Sequence, residues 1–121
     1  MSVIREIGAV FVPVSDIERS RDWYRAFLGL EPGGDILFGH IHVVPMQGGS
    51  GLVLDSQAFT GPHDCKPAFH FNTRDIHAAR EHAVTMGAAE VGPVTDEAFF
   101  TFKDPDGNLI MVADVPPAPR S

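Results

Sequence analysis

Apolar positions along this chain follow two rhythms, and the order of those rhythms repeats. Ile7 to Val14 is rich in β-branched and aromatic residues, which predicts a strand, and Pro13 marks an edge or a strand end. The period then lengthens: Ile17, Tyr24, Phe27 and Leu28 fall on one face at helical spacing. Asp16 is a good N-cap for that helix, Glu18 adds negative charge to its first turn, and Gly29 supplies the stop. After the turn signal Pro32-Gly33-Gly34, three short strands are predicted at Ile36–Phe38, His40–Met46 and Leu52–Asp55. Gly39 separates the first two, and Gln47-Gly48-Gly49-Ser50-Gly51 reads as a hairpin turn before the third. The first unit, residues 4–56, is thus a strand, a helix and three strands.

Residues Ser56 to Lys66 carry Gly61, Pro62, His63 and Asp64 without periodicity, which predicts a connector. The pattern then restarts over 67–115. Ala68–Thr73 is a predicted strand, Asp75 caps a helix whose Ile76, Ala79, Ala83 and Met86 recur at helical intervals, and Gly87 ends it. Strands are predicted again at Ala88–Val91, Phe99–Lys103 and Leu109–Ala113. The last two are joined by Asp104-Pro105-Asp106-Gly107-Asn108, with Pro where φ near −65° is needed and Gly where a left-handed residue fits. The Pro-rich tail 116–121 is expected to be disordered.

Val12-x-Val14-x-Asp16-Ile17, ending at Leu28-Gly29, parallels Phe71-x-Thr73-x-Asp75-Ile76, ending at Met86-Gly87, at an offset of 58 to 59 residues. The prediction is an α+β fold in one domain, 1–115, built from two βαβββ modules whose strands form a curved mixed sheet around a cleft.

Composition narrows the function. The 121 residues are 44% apolar, ample for one core. No stretch approaches the roughly 20 apolar residues of a membrane span, and Arg5 and Glu6 interrupt the start of the chain where a signal peptide needs its apolar run, so a cytoplasmic protein without membrane contact is expected. A net charge of −7 with nine Lys and Arg argues against nucleic acid, whose phosphates require clustered cations, and suits a cationic small molecule. The single cysteine, Cys65, permits no internal disulfide and has no CxxC or Cys-His spacing around it. Gly48-Gly49-Ser50-Gly51 lacks the Lys and following helix of a phosphate-binding loop, and there is no nucleophile elbow.

Three passages, VFVPVSDIERSRDWYRAFLGL, HFNTRDIHAAREHAVTMGA and FTFKDPDGNLIMVAD, resemble the glyoxalase, bleomycin-resistance and extradiol-dioxygenase superfamily, the vicinal oxygen chelate proteins. The resemblance implies paired βαβββ modules around a cleft, and a homodimer. In metal-dependent members it implies a ligand from the first strand of each module, seven residues before the helix-capping Asp, and another from the last strand, four residues past the Gly of the DPDG turn. These counts fall on Ala9, Ala68 and Met111, with Val53, or Leu54 if the register slips, as the remaining counterpart. None offers a hard oxygen or an imidazole. No metal and no other cofactor is therefore expected, and glyoxalase, dioxygenase and metal-dependent thiol-transferase activities are placed in doubt.

The polar residues left are His70, on the strand face of Ala68, and Asp55, on the strand face of Val53. They are candidates for acid and base, because an imidazole titrates near working pH and a hydrogen-bonded partner orients it; a lone strand histidine is more commonly structural. His40 and His42 form an H-x-H pair that, joined by His70 or Asp55, gives an alternative metal set in an unusual place. With Phe11, Phe100 and Met111, the residues His42, Asp55 and His70 make up the expected lining of a ligand cleft; Phe69, Phe71, Phe99, Phe102 and Trp23 divide between core and cleft. The leading expectation is a metal-independent protein, similar to the bleomycin-resistance branch, that sequesters or carries an organic ligand, cationic or aromatic. The alternative is a lyase or isomerase-type enzyme with displaced metal ligands or metal-free acid-base chemistry around His70, and a third reading is a structural dimer whose phenylalanines fill its own cleft.

Overall fold

A computed structural model describes residues 2–115; the tail predicted to be disordered, 116–121, lies outside the described residues. The chain divides into two compact units, Met1–Pro62 and His63–Ser121, with the boundary inside the predicted connector. Unit 1 holds β1 (Ala9–Pro13), α1 (Ile17–Phe27), β2 (Ile41–Val44) and β3 (Gly51–Asp55). Unit 2 holds β4 (His70–Asn72), α2 (Ile76–Thr85), β5 (Phe99–Lys103) and β6 (Leu109–Ala113). Each unit is a small three-stranded mixed sheet: order β1-β3-β2 in the first and β4-β6-β5 in the second, the first pair parallel and the second antiparallel. Two mixed sheets with two helices make the chain α+β, as the hydrophobic rhythm predicts.

Both helices start and stop for local reasons. Asp16 is extended at the N-cap and accepts from the Arg19 amide at 3.1 Å; Asp75 does the same for Ala78 at 3.1 Å. At the other end Gly29 (φ +72°) and Gly87 (φ +77°) take the left-handed conformation that lets the chain turn back. Leu30 then donates to Arg25 O and Ala88 to Ala83 O, which satisfies carbonyls the helices leave open. Ile17, Ser20, Tyr24 and Phe27 form the buried stripe of α1, and Ile76 and Ala83 that of α2. Tyr24 is fully buried, with Trp23 edge-on to it at 5.0 Å and stacked on Phe27 at 5.1 Å. Burial of each such ring contributes about 1.5–3 kcal/mol.

Each sheet has one face packed into its unit's core. In unit 1 Val12, Val44, Leu52 and Leu54 are buried, and in unit 2 Phe71, Phe100, Phe102, Ile110 and Val112 are. These residues alternate along their strands, so the intervening side chains belong to the face away from the helix.

The strand predicted directly after the helix is absent as a strand in each unit. Ile36–Phe38 leaves only a bridge between Leu37 and Ile41, because Phe38 (φ +54°) and Gly39 (φ +77°) are consecutive left-handed residues that turn the chain. Ala88–Val91 likewise leaves only a bridge between Ala89 and Lys103, interrupted by Glu90 at φ +49°. The predicted strand Ala68–Thr73 shortens to three residues, and Ala68 lies in a bend ahead of it. The reason is competition for the sheet: the Leu109 amide bonds His63 O at 2.8 Å rather than a residue at the start of β4.

Candidate functional site

Ala9 and Val53 stand on β1 and β3, one residue out of step with the core-facing Val12 and Leu52, and therefore on the face away from α1. Met111 pairs with His70 on the corresponding face of unit 2, and Ala68 precedes the strand. Methyl and isopropyl groups donate nothing to a cation, and the thioether of Met111 is soft, so the residues present do not fit a divalent metal held by nitrogen and oxygen. Within each unit, among the described residues, no three His, Cys, Asp or Glu side chains are grouped to hold an ion.

Of the residues predicted to line a ligand site, Phe11, Asp55, His70 and Met111 lie on sheet faces away from the helix of their own unit. His70 is exposed, and its Nδ1 is 3.4 Å from Phe71 O, with no carboxylate bonded to it among the described residues. His42 and Phe100 need correction. They are opposite Leu54 and Val112 in their registers, both core residues, and they are 2% and 1% exposed. Strand alternation thus turns His42 and Phe100 into the core.

His42 is a structural clamp. Asp35 O, 2.8 Å from Nδ1, can only accept, so Nδ1 carries the hydrogen; Nε2 then presents its lone pair toward Arg25 Nη1 at 3.5 Å. Arg25 Nε donates to Glu31 O at 2.6 Å and Arg21 Nη1 to Gly34 O at 3.1 Å, so the loop after α1 is tied to the helix and to β2. A cavity of about 260 Å³ remains beside these groups, bordered by Arg25, Gly34, Asp35, Leu37, His42 and Pro45. His42 and Arg25 meet its wall already engaged with each other and with carbonyls.

His40 separates from His42. It sits in the turn ahead of β2, and its Nδ1 is 2.8 Å from Asp55 Oδ1, with both side chains partly shielded at 22% and 29% exposure. The strand register sets this up: Ile41 pairs with Asp55, so the residue before Ile41 reaches the end of β3 on the side where Asp55 points. Asp55 Oδ1 also accepts from the Gln57 amide at 2.9 Å. That bond, followed by the one from His40, holds the Asp55 carboxyl below its ordinary value. Sequence reasoning named both residues, with Asp55 either as the partner of His70 or as an added ligand beside the His40-His42 pair; the turn that brings 40 and 55 into a direct hydrogen bond was the missing signal. Cys65 is exposed, with Sγ 3.7 Å from Asp64 Oδ1 and no imidazole bonded to it.

The sequence profile of the Glyoxalase/Bleomycin resistance protein/Dioxygenase superfamily matches residues 6–112. No curated protein matches the chain. Among solved structures it is similar to TnmS3, an antibiotic binding protein from Streptomyces sp. CB03234, with 28% identity and a TM-score of 0.74 over 94% of this chain and 98% of that one. A glyoxalase/bleomycin resistance protein from the same organism is 29% identical, with a TM-score of 0.66 over 88% of this chain and 99% of that one. A third, from Catenulispora acidiphila DSM 44928, is 25% identical, with a TM-score of 0.66 over 92% of this chain and 99% of that one. With two mixed-sheet units, each a strand, a helix and two strands, and a profile that spans both, the chain belongs to the glyoxalase/bleomycin resistance protein/dioxygenase superfamily.

Proposed function

We propose that this chain is a metal-independent small-molecule-binding protein that sequesters or carries an organic ligand, as members of the bleomycin-resistance branch do. The observation that carries the reading is the chemistry of the positions counted for metal ligands, Ala9, Val53, Ala68 and Met111, each of which lacks a hard donor. The likeness to an antibiotic binding protein supports it. The sheet face away from α1 offers exposed Phe11 and Val43 to an apolar ligand, and the charge of −7 favours ligands that are neutral or cationic. We place the protein in the cytoplasm as a homodimer; among the described residues no helix is long and apolar enough to cross a membrane.

Two measurements test this. Elemental analysis of protein purified without an affinity tag is expected to give well under one equivalent of Zn, Ni, Fe or Mn; a full equivalent overturns the reading in favour of a metalloenzyme. A thermal-shift screen of cationic and neutral aromatic compounds is expected to find ligands that raise the midpoint with concentration, since a ligand at 100 times its Kd adds about 2.7 kcal/mol to the folded state. Silence across all classes, with the metal absent, leaves a structural dimer in its place.

A further inference from the structure

The two units build the same hairpin with different residues, and unit 2 serves as an internal control for unit 1. In unit 1 Leu37 and Ile41 exchange backbone bonds at 2.7 and 3.0 Å around a three-residue turn, and the His40 amide donates to Leu37 O at 3.1 Å. In unit 2 Thr95 and Phe99 exchange bonds at 2.8 and 3.2 Å, and the Ala98 amide donates to Thr95 O at 3.0 Å. Ser56 then bonds His40 O at 2.9 Å where Asp114 bonds Ala98 O at 2.7 Å. Ile41 pairs with Asp55 as Phe99 pairs with Ala113. His40 and Asp55 of unit 1 therefore correspond to Ala98 and Ala113 of unit 2. The hairpin closes in unit 2 with two methyl groups, so the imidazole and the carboxylate are not needed to close it.

The turn residue before them points the same way. Left-handed backbone is costly for most residues and least so for Gly, Asn and Asp. Unit 2 puts Asp96 (φ +53°) at the position that Phe38 (φ +54°) takes in unit 1. Phe38 is 85% exposed and adds nothing to the core, with its ring centroid 6.4 Å from that of His40. Unit 1 thus bears an exposed aromatic ring, an imidazole and a carboxylate at a turn that the fold makes without any of them.

We propose that Phe38, His40 and Asp55 form a ligand site for an aromatic compound bearing a ring hydroxyl, its ring against Phe38 and its hydroxyl donating to His40 Nε2. This rests on the ligand-binding reading above and names the chemistry of the site. Asp55 can only accept, so it fixes the hydrogen of His40 on Nδ1 and leaves the lone pair on Nε2, which makes no hydrogen bond among the described residues. The carboxylate behind the ring strengthens that acceptor. The Phe38 and His40 rings, 6.4 Å apart, set an apolar face beside that acceptor, and a hydroxyl fixed directly to an aromatic ring pairs a donor with an apolar face in the same way. The Asp55 carboxylate and the chain's net charge of −7 favour the neutral phenol over its phenolate.

The test compares 2-naphthol with 2-methoxynaphthalene, which keeps the rings and loses the donor, by calorimetry on the full chain. The wild-type protein is expected to bind 2-naphthol roughly tenfold or more tightly than the ether, as befits a hydrogen bond to a carboxylate-backed acceptor. H40A is expected to bring the two probes within about twofold by removing the partner, D55A to reduce the ratio, and F38A to weaken both probes while preserving the ratio. Equal wild-type affinities, or a preference that survives H40A, overturn the site while leaving the ligand-binding reading in place. Failure of wild-type protein to bind either probe also overturns it, and the wider thermal-shift screen then decides the ligand-binding reading separately. The wild-type comparison needs no variant to fold.

Discussion

Unit 1 and unit 2 share a backbone and differ in what they put on it, and the difference separates residues that make the fold from residues placed upon it. The shared part is extensive. Arg21 donates to Gly34 O in unit 1, and Arg80, its counterpart, donates to Gly92 O at 2.7 Å in unit 2. Where unit 1 clamps its loop with buried His42, unit 2 has buried Phe100 at the same register position. The same buried position is thus polar in one unit and aromatic in the other. The units diverge most at their last turn: unit 1 crosses from β2 to β3 through a Gly-rich loop, while unit 2 crosses from β5 to β6 through a hydrogen-bonded Asp-Asn knot. Asp104 Oδ1 accepts from the amides of Asp106 and Asn108 at 2.9 Å each, and Oδ2 accepts from Asn108 Nδ2 at 2.8 Å. Asn108 Oδ1 in turn accepts from the His63 amide at 2.8 Å, which anchors the start of unit 2.

The largest expected effect tests the aromatic core of unit 2 against the aliphatic sheet core of unit 1. F102A removes a side chain with no exposed surface and is expected to cost about 3–5 kcal/mol, read by denaturant unfolding. L54A, equally buried on β3, is expected to cost about 2–5 kcal/mol. A loss below about 1 kcal/mol for F102A breaks the claim that its ring is part of the unit 2 core. Smaller, but confined to unit 2, is the effect of N108A. It removes the acceptor of the His63 amide and one donor to Asp104 from a turn in which Asp104 and Asn108 are buried, and a loss of about 1–3 kcal/mol is expected. Hydrogen exchange resolves it by segment: faster exchange at His63 and Leu109, with β1 to β3 unchanged, is the expected pattern.

How far the sequence foretold these features follows from which interactions are local. Helix caps and stops were legible at Asp16, Asp75, Gly29 and Gly87 because a cap bonds to residues three positions away. Strand parity was legible where two core residues flank a position, as for Val53 between Leu52 and Leu54, and it carried on to Asp55 two residues later. It misled at His42 and Phe100, since alternation alone does not say which parity the helix covers. The left-handed turns at Phe38 and at Asp96-Glu97 were not legible, because neither a phenylalanine nor a glutamate advertises positive φ. With positive φ unforeseen at Phe38, a strand was predicted through Ile36–Phe38, and Asp55 was offered to His40 only as one way to complete a metal set rather than as the direct hydrogen-bonded pair that forms across 15 residues.

The subtlest difference between the units is electrostatic, and acid reveals it. Asp55 titrates below its ordinary value of 3.8 because the Gln57 amide and His40 bond its charged form; Ala113, its counterpart, has nothing to titrate. For a carboxyl depressed on folding, the unfolded chain binds protons more readily than the native one. The contribution of Asp55 is therefore complete above the ordinary carboxylate value and is lost as pH falls through the lowered one. The comparison of D55N with wild type by thermal unfolding from neutral pH down through that range sharpens the contrast. The wild-type excess in stability is expected to be small at neutral pH, where the pair is about a third exposed at most, and to shrink on acidification until the two proteins converge. A gap that instead widens in acid means that the pair destabilises the neutral protein. Asp55 would then be a charge held for a ligand at the expense of the fold.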